Sequence, residues 1–256
     1  MPIDDLTHRI HCGRERLLMK PEISPKMKLE HPNQRDGKTL LTFDCYGTLI
    51  DWEAGILAAL QNAYPLAREV DEETLLEDFH SSQNAIKGNA YRKYRQLLTE
   101  VSIHVAKQNG WDQRIEPAGT VPKSIPTWLP FPDTNTALNR LADAGVTLGI
   151  LSNIDNDLLA GTLEYFHVRF PFVATAEDLL SYKPAAAHFV RGREWAAEHQ
   201  TWLHVAQSLF HDVEPASEMG IPVVWVNRKS EALPSTVCPM HVVSNLANFA
   251  EWFLDP

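Results

Sequence analysis

The chain has 256 residues, enough for one large domain or for a core with an insertion, and its 44% apolar and 22% charged residues mark it as globular, not disordered. A formal net charge of −10 argues against nucleic acid or an anionic membrane as partner, and an anionic ligand would need a local positive site. The cysteines, Cys12, Cys45 and Cys238, form no metal-type spacing and fit a reducing compartment. With no apolar run of roughly 18 residues and no signal-peptide core in residues 1–20, the expectation is a cytoplasmic protein.

In chain order, residues 1–38 are polar and hold Pro2, Pro21, Pro25 and Pro32. They read as an irregular extension, with one short helical stretch around Asp4–Lys20. A strand follows at residues 40–45, in the run LLTFDCYGTLID, and it delivers Asp44 to its own C-terminal edge. That edge is where α/β folds keep ligands. Gly47 lets the backbone turn next to it. Asp44 is either a nucleophile or a turn-capping residue on a buried strand. Alternation along the strand points Cys45 away from the Asp44 side chain. Trp52, just beyond, either walls an apolar subsite or packs a hinge.

Residues 53–130 carry helical patterns at Ile56–Ala63, Glu72–Lys87 and Tyr91–Gly110 and no convincing strand. They end in a stretch with Pro122, Pro126, Pro130 and Pro132. YRKYRQLL, residues 91–98, puts Arg92, Lys93 and Arg95 on one predicted helix, with Arg92 and Arg95 on one face. Two arginines there suit bidentate binding of a carboxylate, or form a solvated basic face.

Strands and helices then alternate. Strands are predicted at Val146–Ser152, Phe172–Thr175, His204–Ala206 and Pro222–Asn227, and helices at Thr134–Ala144, Asp155–Phe166, Ala185–Glu198, Glu214–Met219 and Leu246–Phe253. This implies an α/β fold with a doubly wound parallel sheet. Ser152 and Asn153 end one strand with donors suited to an anion, with Asp155 as helix N-cap. Pro184 suits the first turn of the next helix, and Lys183 before it either reaches inward to Asp44 or is a surface lysine. Asp212 follows the run HVAQSLFH, and His211 beside it reads as structural.

Asp44-Cys45-Tyr46-Gly47-Thr48-Leu49 resembles motif I of the haloacid dehalogenase (HAD) superfamily. Ser152, Lys183-Pro184 and the segment 204–220 resemble its motifs II, III and IV in order. The resemblance implies a Rossmann-like core, residues 39–52 and 131–256, with an all-helical cap inserted at residues 53–130. It places Asp44, Thr48, Lys183 and Asp212 in catalysis. Tyr46, Trp52, Arg92, Arg95, Ser152, Asn153, Gln207 and Ser208 become substrate-binding. Tyr46 and Gln207 stand where phosphatases of the superfamily have metal-binding carboxylates. The chain is therefore similar to the branch of (S)-2-haloacid dehalogenases, which use neither metal nor cofactor.

The implied reaction is displacement of a leaving group from C2 of a small carboxylic acid, through an ester intermediate, to a 2-hydroxy acid. Ring opening of azetidine-2-carboxylate, a magnesium-dependent phosphatase and a non-catalytic binding protein are the alternatives. The expected partner is a small-molecule carboxylate, with a homodimer admissible. Departures from the branch are the Ala206-Gln207-Ser208 loop, longer by one residue, and Phe189 where a Tyr is usual.

Overall fold

The computed structural model describes residues 39–86, 90–112, 114 and 119–255, and the extension expected over residues 1–38 lies outside them. Strand β1 (Thr39–Phe43) is buried at every position. An unbroken apolar run suits a strand covered on both faces, and β1 does lie inside the sheet. The other strands are β2 (Thr147–Ser152), β3 (Phe172–Thr175), β4 (Thr201–Ala206), β5 (Val223–Val226) and β6 (His241–Val243). Their order is β3-β2-β1-β4-β5-β6, with all pairings parallel.

The sequence predicted the first five strands and missed β6. It is three residues long, at the sheet edge, with Val242 39% exposed, so it carries no buried run to read. The winding reverses between β1 and β4. Loops leaving these neighbours diverge, and they open a crevice at the carboxyl ends of the strands.

Among the described residues between Ile50 and Pro130 lie four α-helices: α1 (Trp52–Ala63), α2 (Glu72–Ile86), α3 (Tyr94–Gln108) and α4 (Thr120–Ser124). None of the sheet's strands falls among the described residues of this segment. Leu75 and Phe79 of α2 are buried, as are Leu98, Val101 and Val105 of α3, at the spacing of one helical face. The chain enters and leaves the segment side by side. Ile50 bridges Pro130 antiparallel, Asp51 N–H donates to Leu129 O (3.0 Å), and Phe131 N–H donates to Leu49 O (3.0 Å).

The remaining helices are α5 (Thr134–Asp143), α6 (Asn156–Leu163), α7 (Ala176–Leu179), α8 (Ala187–Ala196), α9 (Glu214–Glu218) and α10 (Leu246–Leu254). Pro184 was expected in a first helical turn, but α8 starts later. Ala185 N–H closes a turn onto Tyr182 O (3.0 Å), and the Lys183–Pro184 peptide is cis.

Asp155 also departs from expectation, since it makes no capping bond to α6. Its buried carboxylate caps α3 instead. It accepts from Tyr94 N–H (2.7 Å), Arg95 N–H (3.1 Å) and Arg95 Nε (3.0 Å). Lys93, at the N-cap position of α3, supplies no capping side chain. A carboxylate from the core therefore meets the positive end of that helix. No helix among the described residues is long and apolar enough to cross a membrane.

Candidate active site

Asp44 follows β1 directly and its N–H donates to Val205 O (3.1 Å), so β4 pins the residue at the crevice. Gly47 then takes φ +100°, a left-handed value, and a Cβ there would lie 3.2 Å from Gln207 Oε1 and 3.3 Å from the Trp52 indole. Both conformation and space call for glycine. The turn brings Thr48 back beside Asp44. Its hydroxyl donates to Asp44 Oδ2 (2.9 Å) and accepts from Gln207 N–H (2.9 Å).

Lys183 is 1% exposed and reaches in from the loop before α8. Its Nζ donates to Asp44 Oδ1 (2.8 Å), Asp212 Oδ1 (2.6 Å) and Leu151 O (2.8 Å), which uses all three ammonium protons. Asn153 braces this lysine from behind. Its amide accepts from Lys183 N–H (2.7 Å) and donates to Lys183 O (3.0 Å). Each end of the Asn153 amide thus makes one bond to the lysine backbone.

Burial pushes the Asp44 carboxyl above the ordinary aspartate value of 3.8, and Lys183 offsets this only in part. Burial alone would also raise Asp212, but Lys183 and then His204 hold it below the ordinary value. For Lys183, burial opposes the charge, and Asp212 and then Asp44 outweigh it and raise its pKa. Asp212 and Lys183 are the settled ion pair, and Asp44 is the member whose charge is least stabilised.

Behind Asp212 stands a buried polar chain. Trp202 Nε1–H donates to Thr42 Oγ1 (2.9 Å), Thr42 Oγ1 lies 3.0 Å from His204 Nδ1, and His204 Nε2 lies 2.9 Å from Asp212 Oδ1. One arrangement satisfies every member: the Thr42 hydroxyl donates to Nδ1, and Nε2–H donates to Asp212. Asp212 Oδ2 has no partner among the described residues, and neither has the buried Ser152 hydroxyl. His188 holds Ser152 from the main-chain side, with Nε2 3.1 Å from Ser152 O. Burial, then Lys183, lowers the His188 pKa to about 4.

The loop carrying Asp212 is a π-type turn, Leu209–Val213, in which Val213 N–H donates to Ser208 O (3.1 Å) five residues back. One residue beyond a regular turn produces this pattern, which recurs at functional sites. Ser208 caps the turn by accepting from His211 N–H (3.1 Å).

These groups open into a cavity of about 480 Å³. Asp44, Ser152, Asn153, Lys183, Gln207, Ser208 and Asp212 line its core side, and Tyr46, Trp52, Phe79, Arg92, Tyr94, Leu97 and Trp128 line much of the rest. Tyr46 contributes a ring and not a hydroxyl, since its Oη pairs with Thr162 Oγ1 (2.8 Å). Trp52 both lines the cavity and packs on Phe79, with ring centroids 5.8 Å apart.

The arginines separate. α3 begins at Tyr94, so Arg92 precedes the helix and the shared helical face does not exist. Arg92 lines the cavity, where it pairs with Glu100 (2.7 Å) and donates to Ile86 O (3.1 Å). Arg95 instead binds Asp155 and Asp157 and is not among the lining residues.

The Lys183 ammonium bridges Asp44 and Asp212, and Tyr46 and Gln207 add no further carboxylate of the kind a hard divalent cation favours. Among the described residues no three His, Cys, Asp or Glu side chains are grouped to hold a metal ion.

Sequence reasoning missed His204, Thr42, Trp202 and His188. The available signal was a histidine inside the apolar run WLHVA, since a buried polar side chain needs partners. It also missed the walls Phe79, Tyr94, Leu97 and Trp128, which come together only through the packing of separate helices.

The chain is 29% identical over 130 residues to an (S)-2-haloacid dehalogenase of Pseudomonas putida, a match covering 49% of this chain and 57% of that protein. It is 25% identical over 223 residues to the (S)-2-haloacid dehalogenase H-109 of Pseudomonas putida, covering 84% of this chain and 97% of the relative. In fold it is similar to the L-2-haloacid dehalogenase of Xanthobacter autotrophicus with chloropropionic acid covalently bound (TM-score 0.69, 20% identity, 83% of this chain and 96% of that one). The sequence model of the haloacid dehalogenase-like hydrolases matches residues 41–226, and the chain belongs to that family.

Proposed function

We propose that the protein is a metal-independent hydrolase that displaces a leaving group, halide first, from C2 of a carboxylic acid. The observation that carries this reading is the Lys183 ammonium buried between Asp44 and Asp212, with the neutral side chains of Tyr46 and Gln207 lining the cavity beside them. Asp44 is the nucleophile. Its carboxylate oxygen attacks C2, and the C–X bond breaks with its electron pair leaving as X⁻. An ester between Asp44 and the acid results. Water then adds to the Asp44 carbonyl carbon, the alkoxy group leaves as a 2-hydroxy acid, and the aspartate is restored.

Each residue has a role in this cycle. Lys183 and Thr48 aim and ionise Asp44. Asp212 Oδ2, buried and unpartnered, is the acceptor for the water's proton. The Ser152 hydroxyl and Arg92 receive the substrate carboxylate. The helical segment 53–130 acts as a cap that excludes bulk water from the first step. The relatives with (S)-2-haloacid dehalogenase activity support this choice of leaving group and substrate.

The test is mass spectrometry on protein quenched during turnover of a 2-haloacid. An adduct of the acid's mass, minus halide, on the Asp44 peptide is expected. Turnover with no adduct on that peptide at any quench time contradicts the reading.

A further inference from the structure

The cavity is larger than a two- or three-carbon acid requires. Its volume of about 480 Å³ falls in the range of roughly 300–1,000 Å³ typical of pockets for drug-sized ligands. A 2-halopropionate fills a minor part of that space.

Two aromatic walls beside the reacting carboxylate form part of the boundary of the remainder, and Glu53, His80, Gln83, Lys229 and Glu231 line other parts of it. Tyr46 lies two residues past Asp44 and meets Trp128 edge-on, with centroids 6.1 Å apart. Both rings are fixed: Tyr46 through Thr162, and Trp128 through Nε1–H donating to Ser124 Oγ (3.0 Å). Gly55 lets this indole lie directly on α1, where a Cβ would come within 2.3 Å of it. The second wall is Trp52 with Phe79, and the Trp52 indole stands over Gly47 in the Asp44 turn. Rings held before a ligand arrives lose little freedom on binding it, and they favour flat or extended apolar groups.

We infer that the substrate acid carries at C2 a large apolar substituent, an arylmethyl or extended alkyl chain, which lies between the Tyr46/Trp128 and Trp52/Phe79 walls. This deepens the proposed reaction and rests on it for the position of C2. Its binding component stands by itself.

The test has two arms on the full chain. In the first, kcat/KM is compared for 2-bromopropionate, 2-bromohexanoate and 2-bromo-3-phenylpropionate. A rise of at least about tenfold from the first to the third is expected, on the scale of burying one aromatic side chain. Trp128→Ala, with fold checked by circular dichroism, should lower that ratio. Highest kcat/KM on 2-bromopropionate, falling with chain length, would overturn the inference. The second arm is calorimetry of inert propionate and 3-phenylpropionate, which needs no chemistry. Tighter binding of the phenyl acid without turnover of any haloacid would uphold the inference and sink the proposed reaction. Equal or weaker binding of the phenyl acid would sink the inference alone.

Discussion

His204 and Lys183 meet on a single oxygen of Asp212: Nε2 lies 2.9 Å and Nζ 2.6 Å from Oδ1, and Oδ2 is left without a partner among the described residues. Two contacts on one oxygen fix the rotation of the carboxylate. The free oxygen is then the one available for water.

His204→Phe keeps the bulk and removes the contact. The carboxylate can then turn and share both oxygens with Lys183. Ester hydrolysis should slow more than ester formation, so the Asp44 adduct should accumulate under quenched flow. His204→Gln, which can still donate to Asp212, should recover part of the hydrolysis rate. Equal slowing of both steps would show His204 to be structural only. Loss of the buried bonds should also cost about 1–3 kcal/mol of stability, readable by urea unfolding.

Lys183→Ala removes the cation from two buried carboxylates. Turnover should fall at least about a hundredfold, the scale of losing a positioned electrostatic group. Stability should fall by about 3–5 kcal/mol, because charges are left buried without a partner. Near wild-type kcat in a folded variant would refute the role given to this lysine.

Only ionised Asp44 can attack, and its pKa is raised above 3.8 by burial. The rate of adduct formation should therefore drop on acidification at a pH above that of an ordinary aspartate. The sign for stability follows. A carboxyl raised in the folded state stabilises it at low pH, and that contribution is lost as pH rises through the folded pKa. Asp212, lowered by Lys183 and His204 against the effect of its burial, stabilises above its unfolded pKa and loses this as pH falls. Asp44→Asn should hence raise the melting temperature at pH 7, with the gain shrinking toward acid. A drop in melting temperature at pH 7 would contradict this assignment of charge.

The two arginines should part in kinetics. Arg92→Ala should raise KM about tenfold, as expected for one charge-assisted contact. Asp155→Ala uncaps α3 and strands Arg95, and should cost about 1–2 kcal/mol of stability. Steady-state kinetics and urea unfolding on both variants separate the roles, and a larger KM effect from Arg95→Ala would reverse them.

Much of this was legible in the chain because buried parallel strands and strand-end motifs are local signals. The run from Leu40 to Asp44 announced both a central strand and the carboxylate at its end. The order of Ser152, Lys183 and Asp212 after later strands placed them at the same sheet edge. What stayed hidden depends on tertiary contact. Asp155 looked like the cap of its own helix and instead caps α3, about sixty residues earlier in the chain. Arg92 and Arg95 looked equivalent until the helix start at Tyr94 separated them. Asn153 was legible as a strand-end amide at the cavity, but the match of that amide to the Lys183 backbone comes from a loop conformation that no spacing reveals.

The account turns on Asp44 as nucleophile, and the most direct measurement is a single turnover of a 2-haloacid in oxygen-18 water with enzyme in excess. The account predicts an unlabelled 2-hydroxy acid, with the label recovered in the Asp44 carboxylate. Labelled product in that first turnover, with Asp44 unlabelled, would mean that water attacks C2 directly.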